Sequence, residues 1–336
     1  MLVQDVKEQY VIKATDLCKS YRYYEKEEGV RGSIKNLFFR KYLYKEAVKK
    51  LNIDIKQGEI VGLIGLNGAG KSTTLKMLSG LVKPTSGNVE VLCFDPFSKK
   101  KEFLSQISMV MGNKSQLWWD LPAIESFNLN CKIYNIPYEK FQKNLEEMSK
   151  LLNVTELLHT QVRRLSLGER MKMEIIAALL HEPRIVFLDE PTIGLDVISQ
   201  YKIREFLKEY NVRHNSTMII TSHNFDDIIS LCDNLLILNS GEIIFDDTFA
   251  NFSKRFSNEK IVTIKVKHNS KLLAVLKDKY KDRAKLVDES TIQFHINDSE
   301  ISSLLLFLNE NNINNVEDIQ IENISMDEIV RNIYEK

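Results

Sequence analysis

The stretch GLNGAGKST, Gly65 to Thr73, follows the apolar run EIVGLI and leads into LKMLSG. Strand, glycine-rich turn and helix start succeed one another, and the residues fit G-x-x-x-x-G-K-[ST] without a mismatch. The glycines permit tight backbone turns, so that N–H groups and a helix N-terminus face a phosphate. In such a turn Lys71 reaches the β- and γ-phosphates, and the Ser72 hydroxyl ligates Mg²⁺. Gly65, Asn67, Gly68, Ala69, Gly70, Lys71, Ser72 and Thr73 are therefore the candidate nucleotide-binding residues. Taken alone, the turn says only that a nucleoside triphosphate binds.

Working outward, short apolar runs keep alternating with helical patterns. RIVFLDE (Arg184 to Glu190) precedes a helix around Gln200 to Tyr210, and TMIITS precedes DDIISLC. This order predicts a parallel sheet with covering helices. Ser240 and Gly241, between LLILN and EIIFDD, predict a hairpin that closes the unit. IVFLDE also carries chemistry, because two carboxylates at the end of an apolar strand are costly without a cation partner. Mg²⁺ is the expected partner: Asp189 holds it through water, and Glu190 acts as general base on the attacking water. The pattern turns polar near Phe252 to Asn258 and then restarts. IVTIKV, a helix near Leu272 to Tyr280, AKLVDE, TIQFHI, a helix near Ile301 to Glu310, and VEDIQIENI predict a β-α-β-β-α-β unit of the ferredoxin-like kind. Residues 1–254 and 255–336 are the two expected domains. The second has no catalytic constellation, and its expected work is dimerisation or regulation.

Composition narrows the field. Among 336 residues, 46 basic side chains balance 46 acidic ones, so no global field attracts nucleic acid or an anionic membrane. MLVQDVKEQYVIK lacks the apolar core of a signal peptide, and no apolar run approaches the ~20 residues that span a bilayer. A chain that is soluble by itself is expected. Cys18, Cys93, Cys131 and Cys232 show no metal-ligand spacing, which predicts reduced thiols in the core of a cytosolic protein.

Between the phosphate turn and IVFLDE lies LSLGER, Leu165 to Arg170, followed by the amphipathic run MKMEIIAALL. The Ser166 hydroxyl, the Gly168 N–H and a helix N-terminus make an anion site. A Ser-x-Gly turn opening a helix here resembles the LSGGQ element of ABC ATPases. Other elements fall into that family's order. IGLD, ending in Asp196, resembles the D-loop that links two pockets. TSH, ending in His223, resembles the switch histidine that senses the γ-phosphate. KSY, ending in Tyr21, resembles the aromatic that stacks on adenine, with Tyr23 and Tyr24 as competitors. The resemblance covers residues from about 10 to 250. It implies an α/β P-loop NTPase of the ABC type, with a mixed sheet core, a β subdomain and a helical subdomain, followed by the small C-terminal α+β domain. It further implies that Ser166, Gly168 and Asp196 complete the ATP pocket of an opposite subunit. Two ATPase subunits, expected as a homodimer, would bind ATP and Mg²⁺ and drive integral membrane permease subunits from the cytoplasmic face of the membrane. SQLWWDLP and the run from Ser166 to Asp196 look like the exporter group with compact six-helix permeases. An importer ATPase with a C-terminal regulatory domain, a soluble non-transport ABC ATPase acting on ribosomes or DNA, and a nucleotide-responsive subunit with little turnover stay open. No nucleic-acid partner is expected.

GNKSQLWWDLP, Gly112 to Pro122, departs from the family pattern. Asn113 stands where the resemblance implies a glutamine that contacts Mg²⁺ or the attacking water. Asparagine keeps the amide but is shorter by about 1.5 Å. An intervening water, a shifted loop or replacement by Gln116 are the ways to restore the contact. Both tryptophans of the chain follow, each able to bury ~150–250 Å². In an extended segment Trp118 and Trp119 point to opposite faces, and at least one is expected to contact the permease. The alternative is that both are core. Glu169 and Arg170 also depart from the family, and are expected to change interface charge more than the anion site. Finally, EKEEGVRGSIKNLFFRKYLYKE (Glu25 to Glu46) mixes basic and aromatic residues, which suits a basic amphipathic helix against lipid headgroups, permease or its own domain.

Overall fold

The computed structural model describes residues 10–24, 42–112, 114–222, 224–256, 259–267, 271–311, 315–324, 328–329 and 334. It divides into two compact units, Met1–Thr248 and Phe249–Lys336.

The first unit opens with two long strands, β1 (Tyr10–Tyr24) and β2 (Tyr42–Lys56), and continues through β3 (Ile60–Gly65), α1 (Lys71–Leu78), β4 (Ser86–Val91), α2 (Lys101–Leu104) and β5 (Ile107–Met111). Three helices come next: α3 (Ala123–Ile133), α4 (Tyr138–Leu151) and α5 (Leu167–Leu179). The remainder alternates as β6 (Ile185–Asp189), α6 (Val197–His214), β7 (Thr217–Thr221), α7 (Phe225–Leu231), β8 (Asn234–Asn239) and β9 (Glu242–Thr248).

Six strands form one sheet in the order β5-β6-β7-β3-β8-β9. All neighbours are parallel except β8 and β9. β3 and β7 are buried along their whole length, as expected for central parallel strands covered on both faces. β8 turns into β9 through Ser240 and Gly241, both with positive φ, the backbone that a two-residue hairpin loop needs. A second, antiparallel sheet has the order β2-β1-β4. Its Ile12, Leu17, Val48 and Leu51 share one core with Leu63, Phe187 and Ile219 of the larger sheet. Tyr42 to Glu46 belong to β2 and pair with β1, so this part of the expected amphipathic helix is strand. Backbone pairing with Ser20 to Tyr24 of β1, a contact with no local sequence signal, accounts for the difference. The rest of that expectation, residues 25–41, lies outside the described residues. Only Cys131 and Cys232 are core thiols; Cys18 is half-buried and Cys93 exposed.

The second unit begins with α8 (Phe249–Phe256) and then runs β10 (Glu259–Val266), α9 (Leu272–Tyr280), β11 (Ala284–Leu286), β12 (Thr291–Asn297), α10 (Ile301–Glu310) and β13 (Val316–Asn323). Its sheet is antiparallel in the order β11-β12-β10-β13. Val262, Ile264, Ile292 and Phe294 form its core with Leu276 of α9 and Leu304 of α10. This is the β-α-β-β-α-β order read from the periodicity.

His181, just past α5, sets an acid limit on the first unit. Its ring stacks on Tyr134 with centroids 3.8 Å apart, and Nε2 lies 3.2 Å from the Ile107 carbonyl. Nδ1 is buried without a hydrogen-bond partner among the described residues. Burial pushes its pKa from 6.5 down to about 4. The native state thus holds the neutral ring while the unfolded chain protonates first. Its contribution to stability is complete above pH ~6.5 and is lost as pH falls toward ~4, amounting to about 2 kcal/mol at pH 5. His181→Phe keeps a ring for the stack and removes the titration. The difference in urea-unfolding free energy between pH 7 and pH 5 is expected to shrink by about that amount.

Candidate functional site

In the large sheet the C-terminal ends of the parallel strands share one edge, the edge where ligands of open α/β sheets bind. Register sets Met111, Asp189 and Thr221 side by side, next to the end of β3. There the chain turns through Leu66 to Gly70 into α1. Gly70 is the N-cap of α1 with φ 108°, and a Cβ on it would lie 2.5 Å from the Ala47 carbonyl oxygen. Only glycine fits that approach and that φ.

Lys71 is 6% exposed. Its Nζ donates to the carbonyls of Gly65 (2.7 Å) and Leu66 (3.3 Å). Burial lowers its pKa, opposed by the charges of Glu190 and Asp189. An ammonium group held this way beside a helix N-terminus is poised for a polyanion. At the end of β6, two strands from β3, Asp189 Oδ1 accepts from Ser72 Oγ at 2.9 Å and from Thr221 Oγ1 at 2.8 Å. The Ser72 hydroxyl and Asp189 carboxylate are hard oxygen donors at the phosphate turn. That pairing fits Mg²⁺, which uses one or two carboxylates together with phosphate and water oxygens. Among the described residues no group of three or more His, Cys, Asp or Glu makes a self-contained metal cage.

Glu190 leaves the strand with a left-handed backbone, φ 56°, which costs on the order of 1 kcal/mol for a non-glycine residue. Its N–H donates to Thr221 Oγ1 at 3.0 Å, an offsetting bond that fixes the turn. A cavity of about 310 Å³ opens over these groups, lined by Tyr21, Lys45, Ala47, residues 66–73 and Glu190. The structure thus brings Tyr21, Asn67, Gly68, Ala69, Gly70, Lys71, Ser72, Thr73 and Glu190 to one place. Gly65 lies beneath through its bond to Lys71, and Asp189 joins through Ser72. Tyr24 instead packs edge-on against Tyr42. Sequence reasoning missed Lys45 as a cavity residue; it faces Tyr21 across the β1–β2 ladder, a pairing with no local sequence signal. Thr221 was visible only as part of the TSH motif.

Ser166, Gly168 and Asp196 are not part of this lining. Ser166 caps α5 in a capping box with Glu169. Its N–H and its Oγ both donate to Glu169 Oε2 at 2.8 Å. Within the capping box the Glu169 carboxylate takes up both Ser166 donors, so this departure from the family pattern touches the anion-site residue itself as well as the local charge. A Cβ on Gly168 would lie 2.5 Å from Ser199 Oγ, so a side chain there would force the two turns apart. Ser199 in turn donates from N (2.9 Å) and Oγ (2.7 Å) to the Asp196 carboxylate, holding its pKa below the usual range. The Ser166 and Asp196 turns thus form one surface, flanked by the exposed Ile193, Val197 and Ile198.

Asn113 and His223 lie outside the described residues. Gln116 is engaged elsewhere, its Nε2 donating to the Met109 carbonyl at 2.8 Å, and it does not line the cavity. A residue with no sequence signal is Asp227, 1% exposed, which accepts from Arg204 (2.9 Å), Ser222 Oγ (2.6 Å) and Thr192 Oγ1. It ties the segment before His223 to the turn after Glu190. Trp118 and Trp119 are 51% and 50% exposed, so the reading of both as core is corrected. Leu121 N–H donates to the Trp118 carbonyl at 3.1 Å, a turn rather than an extended segment, and both indoles are left partly open.

The family model for ABC transporters matches residues 48–193. The ABC transporter ATP-binding protein NatA of Bacillus subtilis is 32% identical over 200 residues, 60% of this chain and 81% of NatA. The bacitracin transport ATP-binding protein BcrA of Bacillus licheniformis is 33% identical over 271 residues, 80% of this chain and 79% of BcrA. Among solved structures, dimeric MJ0796, a bacterial ABC transporter cassette, superposes with a TM-score of 0.58 at 25% identity, covering 70% of this chain and 98% of that one. No helix among the described residues is long and apolar enough to cross a membrane. With the phosphate turn, the carboxylate strand end and the Ser-x-Gly helix start in family order, the chain belongs to the ABC transporter ATP-binding proteins and is an ABC-type ATPase.

Proposed function

We propose that this chain is the ATP-hydrolysing subunit of an exporter, working as a homodimer beneath separate membrane permease subunits on the cytoplasmic face. The observation that carries this reading is the division of the site. Tyr21, Lys71 and Glu190 share one cavity, while Ser166 and Asp196 lie outside its lining on an exposed surface with apolar flanks. A second copy facing head to tail supplies its Ser166, Gly168 and Asp196 to the ATP held here; the similar cassette MJ0796 is likewise dimeric. Tyr21 stacks on adenine, and the N–H groups of the 66–70 turn and Lys71 hold the phosphates. Ser72 and Asp189 would hold Mg²⁺, which would supply charge neutralisation for the phosphates. Glu190 accepts the proton of the attacking water; by the family resemblance His223 would sense the γ-phosphate, and Asn113 would serve the metal or the attacking water. Binding closes the pair and hydrolysis reopens it. The exporter assignment draws on the Gly112–Pro122 and Ser166–Asp196 stretches and on BcrA, whose name assigns it to bacitracin transport. The first unit acts as the ATPase domain and the second serves dimerisation or regulation; the boundary expected after residue 254 falls inside α8, which belongs to the second unit.

Trp118 and Trp119 are the permease anchors in this reading, since half-exposed tryptophans are frequent hot spots. The full chain drawn from membranes is expected to carry a membrane subunit. Trp118→Ala or Trp119→Ala should release that subunit and leave ATP affinity within about threefold, ~0.7 kcal/mol. Retention of the subunit by both variants removes the tryptophans from the contact, and a solute-binding protein in the complex turns the exporter into an importer.

A further inference from the structure

α5 carries a carboxylate that the nucleotide chemistry does not use. Glu174 is 2% exposed, and its hydrogen bonds go to the loop that bears the tryptophans, with the Arg170 charge close by on the same helix. Ser115 Oγ donates to one carboxylate oxygen. The Gln116 N–H donates to both, at 3.1 and 3.0 Å, and the Leu117 N–H faces it as well. One turn earlier on α5, the Arg170 guanidinium lies 5.4 Å from the centre of the Trp119 ring, within cation–π range. One turn before that, Ser166 caps the same helix. The loop is further pinned at its far side, where the Trp118 N–H donates to Ser126 Oγ of α3 at 3.1 Å.

A buried carboxylate is retained at a cost in desolvation, and it becomes a firm structural tie only when its lone pairs are filled by donors. Here the donors are consecutive groups of one short segment, so the carboxylate fixes the path of the loop rather than a single side chain. The loop and the first two turns of α5 are thereby clamped at two points, Glu174 to residues 115–117 and Arg170 to Trp119.

We propose that Glu174 is a positioning residue that binds the tryptophan loop to α5, so that displacement of Trp118 and Trp119 and displacement of the Ser166 turn are one motion. This rests on the reading above in which Ser166 meets ATP across a pair of subunits. Through the clamp, nucleotide at the Ser166 turn alters the surroundings of the tryptophans, and a load on the tryptophans alters the Ser166 turn.

The chain contains only two tryptophans, and both sit in this loop, so intrinsic emission of the full-length protein reports on it directly. The experiment follows emission and acrylamide quenching with and without Mg·AMP-PNP, alongside calorimetric AMP-PNP affinity and solution size. Wild type should dimerise with AMP-PNP and shift its emission. Glu174→Ala should bind AMP-PNP within about threefold of wild type, lose the shift, and show quenching that no longer depends on nucleotide. Glu174→Gln retains a carbonyl acceptor for the loop N–H groups and should restore at least half of the shift. Ser115→Ala, at an exposed position, tests the same tie without emptying the core, and should reduce the shift. A full shift in Glu174→Ala and Ser115→Ala overturns the proposal, as does a loss of affinity that tracks the loss of shift. Dimerisation of wild type without any emission change sinks the inference alone. Failure of wild type to dimerise sinks the two-copy reading and the inference with it.

Discussion

Glu190→Gln is expected to lower the turnover of ATP by ~10²–10⁴, the range associated with loss of a positioned general base. The amide is nearly isosteric, and the backbone bond from residue 190 to Thr221 Oγ1 does not involve the side chain. The left-handed turn at this position should therefore persist, and with it the shape of the cavity. What disappears is the proton acceptor and one negative charge close to Lys71, which Glu190 and Asp189 hold toward the charged form. ATP affinity should stay within about threefold, ~0.7 kcal/mol, or rise. If two copies close on ATP, the variant should accumulate as the ATP-bound dimer, because the step that reopens it is blocked. Phosphate release and solution size, measured on the same samples, check both halves. Equal turnover in wild type and variant removes Glu190 from the base role.

Lys71→Met separates binding from folding. In the free protein the ammonium is buried and held by two loop carbonyls, and its lowered pKa shows that burial outweighs the neighbouring carboxylates. Replacing a buried charge by an apolar chain of similar length relieves desolvation while losing those bonds, so unfolding of the free variant should differ from wild type by no more than about 1.5 kcal/mol. Toward ATP the loss is one-sided. A hydrogen bond to a charged phosphate is worth ~1.5–3 kcal/mol, equivalent to roughly a 10–100-fold weaker affinity. At ATP near 100 times the wild-type Kd, ligand stabilisation of about 2.7 kcal/mol in wild type should fall to about 0.4 kcal/mol for a 100-fold weaker variant. Denaturant melts with and without ATP measure both quantities. An unaltered increment from ATP would mean that Lys71 does not touch the phosphates.

The parts of the molecule legible in sequence are those whose chemistry is local. The phosphate turn is a covalent spacing of glycines and a lysine, and the parallel strands are continuous apolar runs, so Gly65 to Thr73, Asp189 and Glu190 could be named before any fold was known. The order of the second unit was legible for the same reason, its apolar positions alternating cleanly. The three-stranded sheet was not. β1 carries register shifts around Ala14 to Ser20 and a left-handed Asp16, so its alternation is broken, and its partner β2 lies beyond Glu25 to Lys41. Lys45 enters the cavity only through that non-local pairing. Trp118 and Trp119 were misread as extended because the turn closing on Leu121 has no glycine or asparagine to announce it. Glu174 was invisible for a different cause. On an amphipathic helix a glutamate reads as part of the solvated face, and only packing shows that this one is enclosed.

The hairpin of β1 and β2 closes with Tyr24 opposite Tyr42, and three residues deeper with Tyr21 opposite Lys45. The two ends of the segment between them are thus already joined by a ladder, and doubling the length of such a segment adds only about 0.6 kcal/mol in loop closure. The place of Tyr21 and Lys45 at the cavity is therefore set by the ladder itself. A change that breaks the pairing of β1 with β2 would move two lining side chains at once, although neither belongs to the phosphate turn.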